Sequence, residues 1–451
     1  MLLTQQSNKR LDQVKVVESA PTNARKYPRH KSLHNPTRSV ANRLISAALR
    51  LNMNGKPKKC TGKLRVITRL GAMLSIACTM TASTCAETSH SQEPTPKERV
   101  YISNYAGAEV GGIYLAELNL ETGELQLIKL VADLKKASFL ALHPNHHYLY
   151  ATGEVGDYLD SKGGALLAFE IDAHTGNLTL LNHQSSGGAG PCYVSLDRDG
   201  KHALVANYDG GNVAVLPIGA DGKLNPASST VMNHGSSVNK VRQTEPHPHA
   251  INVDPASRFV FVPDLGLDKV LAFRFDTAKG TLAPNNPGAV TAKPGAGPRH
   301  IAFHPKGDSA YVINELDSTV AVLRYYPETG VLTPLETVST LPTRTTTDNI
   351  TGEIVVHPHG RFLYASNRGH DSIAVYAINN STGRLTLLGH HPAGGRVPRN
   401  FNIDPTGRFL LAANMDSDSV TIHQIDLATG KLSQLSREIK IVQPYCIEFA
   451  P

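Results

Sequence analysis

The sequence predicts an all-β protein, a seven-bladed β-propeller made of four-stranded antiparallel blades, and three observations lead to this prediction. A unit of about fifty residues recurs along the body of the chain. Seven hairpin turns of one design recur with it, and the first unit lacks a strand that the C-terminus can supply. Repeats of this length are typical of propellers and solenoids. The 37 Gly and 28 Pro residues agree, since they indicate frequent turns.

The opening of each unit is an apolar strand, a His-Pro or Asp-Pro turn, and a second apolar strand that ends in a polar residue. Successive turns are 54, 57, 50, 53 and 47 residues apart. We interpret the histidines of these turns as structural residues that cap or close the turn. Examples are His143, His304 and His357. The second position of the turn is occupied by Pro144, Arg198, Pro255, Pro305, Pro358 and Pro405.

The second half of each unit is predicted to be a hairpin of two further strands. Its turn contains Gly, which adopts the positive φ that tight hairpin turns require. Each unit therefore holds four strands. The seven turn segments read ETGELQLI, HTGNLTLL, ADGKLNP, AKGTLAP, ETGVLTPL, STGRLTLL and ATGKLSQL.

The first unit, residues 100–128, has no opening strand before it. The last residues of the chain, 443–451 (QPYCIEFAP), resemble that missing strand. We therefore expect the C-terminal strand to complete the N-terminal blade and close the ring, which leaves only short protected strand edges. A linear β-solenoid is the alternative, but it gives no reason for a split unit.

Charge divides the chain into a basic leader and an acidic body. The whole chain carries +7, but residues 1–86 hold 16 basic and 2 acidic side chains, a net +14, and the remainder holds 29 and 36, a net −7. An acidic body repels phosphate backbones, so no nucleic-acid partner is expected. No run of 18 apolar residues occurs, so no membrane span is expected.

The leader has the order of a secretory signal, since basic residues precede an apolar stretch and a small-residue site at Thr84, Cys85 and Ala86. We assign residues 53–86 to a signal peptide, 87–97 to a linker and 98–451 to the propeller. Residues 1–52 are either a disordered basic extension or the result of a translation start assigned too early. This assignment of the leader predicts a periplasmic or secreted protein, and a cytoplasmic one if the leader is not functional. The body cysteines, Cys192 and Cys446, are expected to be free buried thiols.

One mouth of the predicted propeller collects the reactive side chains. In antiparallel blades, the start of the first strand and the end of the second lie at the same face, opposite the Pro turns. Among the residues that this rule places together, the candidates for a site are Tyr193, Asn207, His247, His249, Arg299, His300, Asn314, Glu315, Asn367, Arg368, Arg399 and Asn400.

Two groups of side chains in this set, a histidine pair and three arginines, indicate what kind of site it is. His247 and His249 share a strand face and could ligate a metal, but no third and fourth ligand follows at a usual spacing, so we expect no metal and no cofactor. A general base or a substrate hydrogen bond is the preferred role. Arg299, Arg368 and Arg399 at a narrow mouth favour an anionic ligand and can stabilise negative charge on oxygen. The alternative is that each pairs with an acid such as Asp264 or Glu315.

Residues 98–451 resemble the propeller lactonases of the bacterial 6-phosphogluconolactonase type, which share their fold with carboxy-cis,cis-muconate lactonising enzymes. The resemblance rests on the segments ISNY, TEPHPHAINVDP, GPRHIAFHP, VINELDSTV, YASNRGHDSIAVY and PRNFNIDPTGRFLLAAN, in that order.

The resemblance implies hydrolysis of a sugar δ-lactone, with catalytic residues at His249 (or His247), Arg299, Glu315 and Arg368. The expected partner is a small anionic lactone, phosphorylated or not, and we expect a monomer. Water attacks directly in this hypothesis, activated by His249 or Glu315, because no nucleophile elbow is present. Two alternatives stay open, a carboxymuconate-type lactonising isomerase and a non-catalytic exported propeller that binds an anionic sugar.

Overall fold

The structure, a computed structural model, describes residues 96–107, 110–153 and 163–450, which form seven four-stranded antiparallel sheets. The predicted extension 1–52, the signal peptide 53–86 and all but the end of the linker 87–97 lie outside the described residues. Within the described residues, no helix is long and apolar enough to cross a membrane.

Each sheet is one blade, and its strands follow one another in the chain except in blade 1. Blade 1 contains β1 (Lys97–Asn104), β2 (Gly112–Asn119), β3 (Leu125–Asp133) and the last strand, β28 (Pro444–Ala450). Blade 2 contains β4 (Ala137–Leu142), β5 (Tyr148–Gly153), β6 (Ala165–Ile171) and β7 (Leu178–Ser185). Blade 3 contains β8 (Pro191–Leu196), β9 (His202–Asn207), β10 (Asn212–Pro217) and β11 (Ser229–Met232). Blade 4 contains β12 (Asn252–Val253), β13 (Phe259–Asp264), β14 (Lys269–Asp276) and β15 (Thr281–Thr291).

The remaining blades have the same arrangement. Blade 5 contains β16 (Pro298–Phe303), β17 (Ser309–Asn314), β18 (Thr319–Tyr326) and β19 (Val331–Ser339). Blade 6 contains β20 (Ile350–Val356), β21 (Phe362–Arg368), β22 (Ser372–Ile378) and β23 (Leu385–Pro392). Blade 7 contains β24 (Pro398–Ile403), β25 (Phe409–Asn414), β26 (Ser419–Ile425) and β27 (Leu432–Lys440), with one 3₁₀ turn at Met415–Ser417.

The predicted closure of the ring is confirmed. Strand β28 pairs antiparallel with β1, from Arg99 opposite Ala450 to Asn104 opposite Pro444. The glycines of the seven hairpin turns all have positive φ, between 64° and 76°, as the turn sequences predict. They are Gly123, Gly176, Gly222, Gly280, Gly330, Gly383 and Gly430.

The core lies between neighbouring blades. The described residues contain seven apolar clusters, one for each pair of adjacent blades around the ring. The cluster between blades 7 and 1 packs Phe409 and Leu411 with Ile447 and Phe449 of the closing strand. Second strands such as β17 and β25 are buried throughout because both of their faces pack on neighbours, so their sequences are nearly continuous apolar runs.

The histidines of the Pro turns are structural, as expected. The ring of His304 contacts the carbonyl oxygen of Gly360 at 2.8 Å, and the ring of His357 contacts that of Gly407 at 2.9 Å. Each contact joins the turn of one blade to the equivalent turn of the next. Cys192 and Cys446 are both buried.

Candidate active site

A β-bulge near the start of the first strand directs site residues into the mouth. In blade 5, Pro298 lies opposite Asn314 and His300 lies opposite Ile313, so Arg299 is the extra, bulged residue. Bulges of this kind re-aim side chains and are frequent beside active sites. The register shifts at the same place in blades 2, 3, 6 and 7, and the residues bulged there are Ser138, Cys192, the pair Gly352 and Glu353, and Arg399.

Glu315 is the centre of the site, and its carboxylate binds three arginines. It follows β17 directly, so the pairing of β16 with β17 brings it beside Arg299. The Nε atom of Arg299 lies 3.1 Å from Oε2, and Nη2 of Arg368 lies 2.8 Å from the same oxygen. Nη2 of Arg242 donates to Oε1 at 2.7 Å. Only 2% of Glu315 is exposed, so its carboxylate is shielded from water.

The electrostatics of this cluster keep Glu315 ionised. Burial raises the pKa of its carboxyl group, but the positive charges of Arg368, Arg299 and Arg242 outweigh burial and lower the pKa to about 2. Burial and the neighbouring positive charges lower the pKa of Arg368 to about 9, although Glu315 raises it. At neutral pH the cluster is therefore a carboxylate held among cations.

His249 lies beside this carboxylate and is neutral. Its Nε2 atom is 3.9 Å from Oε2 of Glu315, and its Nδ1 atom is 3.8 Å from Sγ of Cys192. Burial, followed by the charge of Arg299 and by His300, holds its pKa well below 6.5. A neutral imidazole beside a carboxylate can accept a proton, and the carboxylate then stabilises the imidazolium that forms.

His300 belongs to a second buried network. Its Nδ1 atom is 2.8 Å from Oε1 of Glu353, and Nδ2 of Asn400 donates to Oε2 of Glu353 at 2.6 Å. Nη1 of Arg299 lies 3.1 Å from Nε2 of His300 and donates to the carbonyl oxygen of Gly352 at 2.7 Å. Burial and the charge of Arg299 lower the pKa of His300 to about 4, so it is neutral at pH 7. The network thus fixes the position of Arg299.

Arg399 and Asn400 face the same space as Arg299. The guanidinium carbon of Arg399 lies 4.0 Å from the centre of the Tyr445 ring, a cation–π contact. A cavity of about 10 Å³ is lined by both residues together with Arg299, His300, Glu353 and Tyr445. A larger cavity of about 220 Å³ lies between blades 4 and 5, and neither His249 nor Glu315 lines it.

His247 and Tyr193 lie at the edges of the site. The ring of His247 stacks on Tyr208, with centres 4.4 Å apart, and its Nδ1 atom contacts the Tyr208 carbonyl oxygen at 3.0 Å. It therefore does not form a metal-binding pair with His249. The ring of Tyr193 lies 4.0 Å from that of Phe139 and 5.0 Å from that of His300. In the part of the chain that the structure describes, no group of His, Cys, Asp and Glu could hold a metal.

The predicted asparagines at the ends of second strands are used by the fold. Nδ2 of Asn207 donates to the carbonyl oxygen of Ser186, and Nδ2 of Asn367 donates to that of Thr340, so each ties a blade to the connection that precedes it. Nδ2 of Asn314 instead donates to Oγ1 of Thr319 in its own blade. All three are buried. Their side-chain contacts are with structural groups, unlike those of Glu315 and Arg368.

Arg242 and Glu353 are the charged site residues that the sequence did not single out. Arg242 lies in the connection between β11 and β12, five residues before His247. A basic residue so close to the PHPH segment was the one available signal. Glu353 lies on β20 outside any motif, and only the bulge reveals that it reaches the site.

Three comparisons relate the chain to known proteins. The family model described as "Lactonase, 7-bladed beta-propeller" matches residues 99–449. The 6-phosphogluconolactonase of Bacillus subtilis is 38% identical over 304 residues, which are 67% of this chain and 84% of that protein. The 6-phosphogluconolactonase of Formosa agariphila is 35% identical over 309 residues, 68% of this chain and 86% of that protein. The structure of the periplasmic gluconolactonase of Pseudomonas aeruginosa has a TM-score of 0.74 at 29% identity, covering 79% of this chain and 99% of that one.

Proposed function

Because the chain belongs to the seven-bladed β-propeller lactonases, we propose that it hydrolyses the ester bond of a sugar-acid lactone at the Glu315 cluster. The names of the Bacillus and Pseudomonas relatives support this substrate class, with and without a phosphate group. The observation that carries the proposal is the neutral His249 3.9 Å from a carboxylate that is surrounded by arginines. This arrangement supplies a base and groups that stabilise an anion.

In the proposed reaction, His249 is the base. The pKa of Glu315, about 2, makes its carboxylate a poor proton acceptor, and its oxygens are occupied by Arg242, Arg299 and Arg368. His249 accepts a proton from water as the water oxygen attacks the lactone carbonyl carbon. The carbonyl π electrons move to its oxygen, and an arginine stabilises the resulting oxyanion. Glu315 stabilises the imidazolium of His249.

The second half of the reaction opens the ring. The tetrahedral intermediate collapses, the bond between the carbonyl carbon and the ring oxygen breaks, and its electron pair stays on the ring oxygen. The His249 imidazolium returns its proton to that oxygen. The product is an open-chain hydroxy acid, which ionises at neutral pH. No oxidant, reductant or covalent enzyme intermediate is needed.

The test is a panel of lactones monitored by proton release from the purified protein. Glucono-δ-lactone, its 6-phosphate and a carboxymuconolactone are compared, with the spontaneous rate subtracted. We expect hydrolysis of a gluconolactone and a loss of at least about tenfold in kcat for Arg299→Ala, because it removes a cation at the oxyanion. Arg384→Ala is the matched control, since Arg384 is exposed and pairs with Glu336 on an outer strand.

The panel also separates the alternatives. Turnover of the carboxymuconolactone alone favours a lactonising isomerase. Saturable binding without product favours a binding protein. Wild-type rates in Arg299→Ala contradict the assignment of the site.

We also propose that the chain is exported, with residues 53–86 as a signal peptide that leads to the periplasm or the medium. The order of charges in the leader and the periplasmic origin of the Pseudomonas relative support this. Mass spectrometry of the mature N-terminus tests it, and a mature chain that still contains residues 53–86 contradicts it.

A further inference from the structure

Arg242 differs from the two other arginines that bind Glu315 in its exposure to the mouth. About 35% of its side chain is exposed, against 3% for Arg299 and 7% for Arg368. The two buried arginines, Arg299 and Arg368, also donate hydrogen bonds to backbone carbonyl oxygens. Arg299 donates to Gly352, and Nε and Nη2 of Arg368 donate to the carbonyl oxygen of Thr351 at 2.8 and 2.5 Å. Of these three guanidinium groups, that of Arg242 is therefore the most accessible to a ligand entering the mouth.

The guanidinium of Arg242 still has donors to offer. Among the described residues, both of its hydrogen bonds run through Nη2, to Oε1 of Glu315 at 2.7 Å and to the hydroxyl oxygen of Tyr208 at 3.1 Å. Its Nε and Nη1 groups remain for a ligand. A planar guanidinium with donors on two sides binds phosphate or carboxylate oxygens while it keeps its internal ion pair.

The backbone around Arg242 holds the side chain in this position. Oδ1 of Asn239 accepts the backbone N–H groups of Val241 at 3.0 Å and Arg242 at 3.1 Å. The side chain of Gln243, fully buried, accepts from the N–H of Asn239 at 3.0 Å and donates to the carbonyl oxygen of Leu265 at 2.9 Å. The turn from 239 to 243 is thus fixed to blade 4, and the arginine is preorganised.

The charge of the site indicates the kind of anion. Among the described residues of the two networks, Arg242, Arg299, Arg368 and Arg399 contribute +4, and Glu315 and Glu353 contribute −2, so these six side chains sum to +2 at neutral pH. A phosphate monoester carries about −1.5 to −2 at pH 7, so it complements this charge better than a neutral sugar does.

We propose that Arg242 determines specificity by binding an anionic substituent of the substrate remote from the lactone, a phosphate monoester. This inference rests on the proposed function, since it assigns the other end of the same substrate to the buried arginines. The lactone carbonyl meets His249 and Arg299, and the phosphate meets Nε and Nη1 of Arg242 at the open side of the mouth.

The test measures equilibrium binding of the two hydrolysis products by isothermal titration calorimetry, so it does not require turnover. The ligands are 6-phosphogluconate and gluconate, and the proteins are the wild type and Arg242→Gln. We expect the variant to bind 6-phosphogluconate about 10- to 100-fold more weakly, the range for charge-assisted hydrogen bonds. Binding of gluconate should weaken less than binding of 6-phosphogluconate, because gluconate lacks the phosphate that Arg242 binds, so the ratio of the two affinities falls.

Two further variants make the test specific. Arg396→Gln is the matched control, since Arg396 is exposed in the connection between β23 and β24 and donates to the carbonyl oxygen of Asp416. It should bind both ligands as the wild type does. Tyr208→Phe removes the hydroxyl that holds Arg242 and should weaken phosphate binding less than Arg242→Gln does.

The inference is overturned if Arg242→Gln weakens the binding of both ligands equally. It is also overturned if the wild type binds 6-phosphogluconate no more tightly than gluconate. Lactone hydrolysis is assayed separately, so a failure of the proposed function shows as absent turnover while the binding ratio still decides the role of Arg242. Thermal melts of each variant check that it is folded.

Discussion

Replacing Glu315 by Gln removes one charge from the centre of the site with almost no change in shape. The carboxylate contacts Nη2 of Arg242 at 2.7 Å, Nη2 of Arg368 at 2.8 Å and Nε of Arg299 at 3.1 Å. The amide can accept hydrogen bonds at one atom only and carries no charge. Three cations around one buried position then lose the counter-ion that they share.

The size of the effect follows from these contacts. Breaking a buried ion pair destabilises a protein by about 3–5 kcal/mol. The catalytic loss is expected to be at least about tenfold in kcat, since each tenfold corresponds to about 1.4 kcal/mol of transition-state stabilisation. The pKa of Arg368, about 9 in the wild type, should fall because Glu315 contributes most among the groups that raise it. The variant therefore loses activity at a lower alkaline pH than the wild type does.

The assay is pH-stat lactonase kinetics from pH 6 to 10 at 25 °C, with circular-dichroism melts of each protein. Glu336→Gln is the control, since Glu336 pairs with the exposed Arg384, and surface pairs contribute about 1 kcal/mol or less. The reasoning fails if Glu315→Gln is folded and keeps the wild-type kcat and the wild-type decline of activity at alkaline pH. In that case Glu315 does not organise the arginines.

Three other predictions follow from the structure. His249→Asn should lose about 10²–10⁴ in kcat, and wild-type kcat/KM should stay level as the pH falls through 6.5, because burial and Arg299 keep the pKa of His249 below that value; a decline centred at 6.5 contradicts this. Burial raises the pKa of Glu448 to about 7, so the folded state binds more protons than the unfolded state between about pH 4.5 and 7, and stability falls as the pH rises through this window. Glu448→Gln should therefore raise Tm by a few degrees at pH 8.5 and little at pH 4, and equal melts at pH 8.5 refute it. Deleting residues 444–451 removes the strand that pairs with β1 and the packing of Ile447 and Phe449, so urea unfolding should lose its single cooperative transition.

The fold could be predicted because the residues that specify each blade lie close together in the sequence and recur in every unit. Each unit carries its own strand pattern and its own Gly turn, and the split unit specifies closure. The face rule also placed Arg299, Glu315 and Arg368 at one end of the blades, and these side chains contact one another in the structure. It could not separate residues that differ by one position at the end of a strand, where side chains alternate in direction. Asn314 contacts Thr319 within its blade, whereas Glu315, the next residue, lies in the site.

The same alternation applies in blade 6, where Asn367 binds the Thr340 carbonyl and Arg368 binds Glu315. Two other parts of the site depend on tertiary structure alone. The bulges that direct Arg299 and Glu353 inward are defined by pairing with the second strand, which a single segment does not encode. The position of Arg242 depends on a turn that Asn239 and Gln243 fix against blade 4, in a segment without hydrophobic periodicity.

The separate origins of the arginines explain why a closed ring is suited to this chemistry. Arg299, Arg368 and Arg399 come from blades 5, 6 and 7, and Arg242 comes from the connection that leads into blade 4. Burial lowers the pKa of Arg299 and of Arg368, and repulsion from Arg399 adds to this effect, so the charges would separate if the blades could move apart. Ring closure and the seven inter-blade clusters oppose that movement. A bound anion would relieve the same repulsion, and this is the physical basis for the proposed binding of a negatively charged substrate and for the proposed stabilisation of the oxyanion in its transition state.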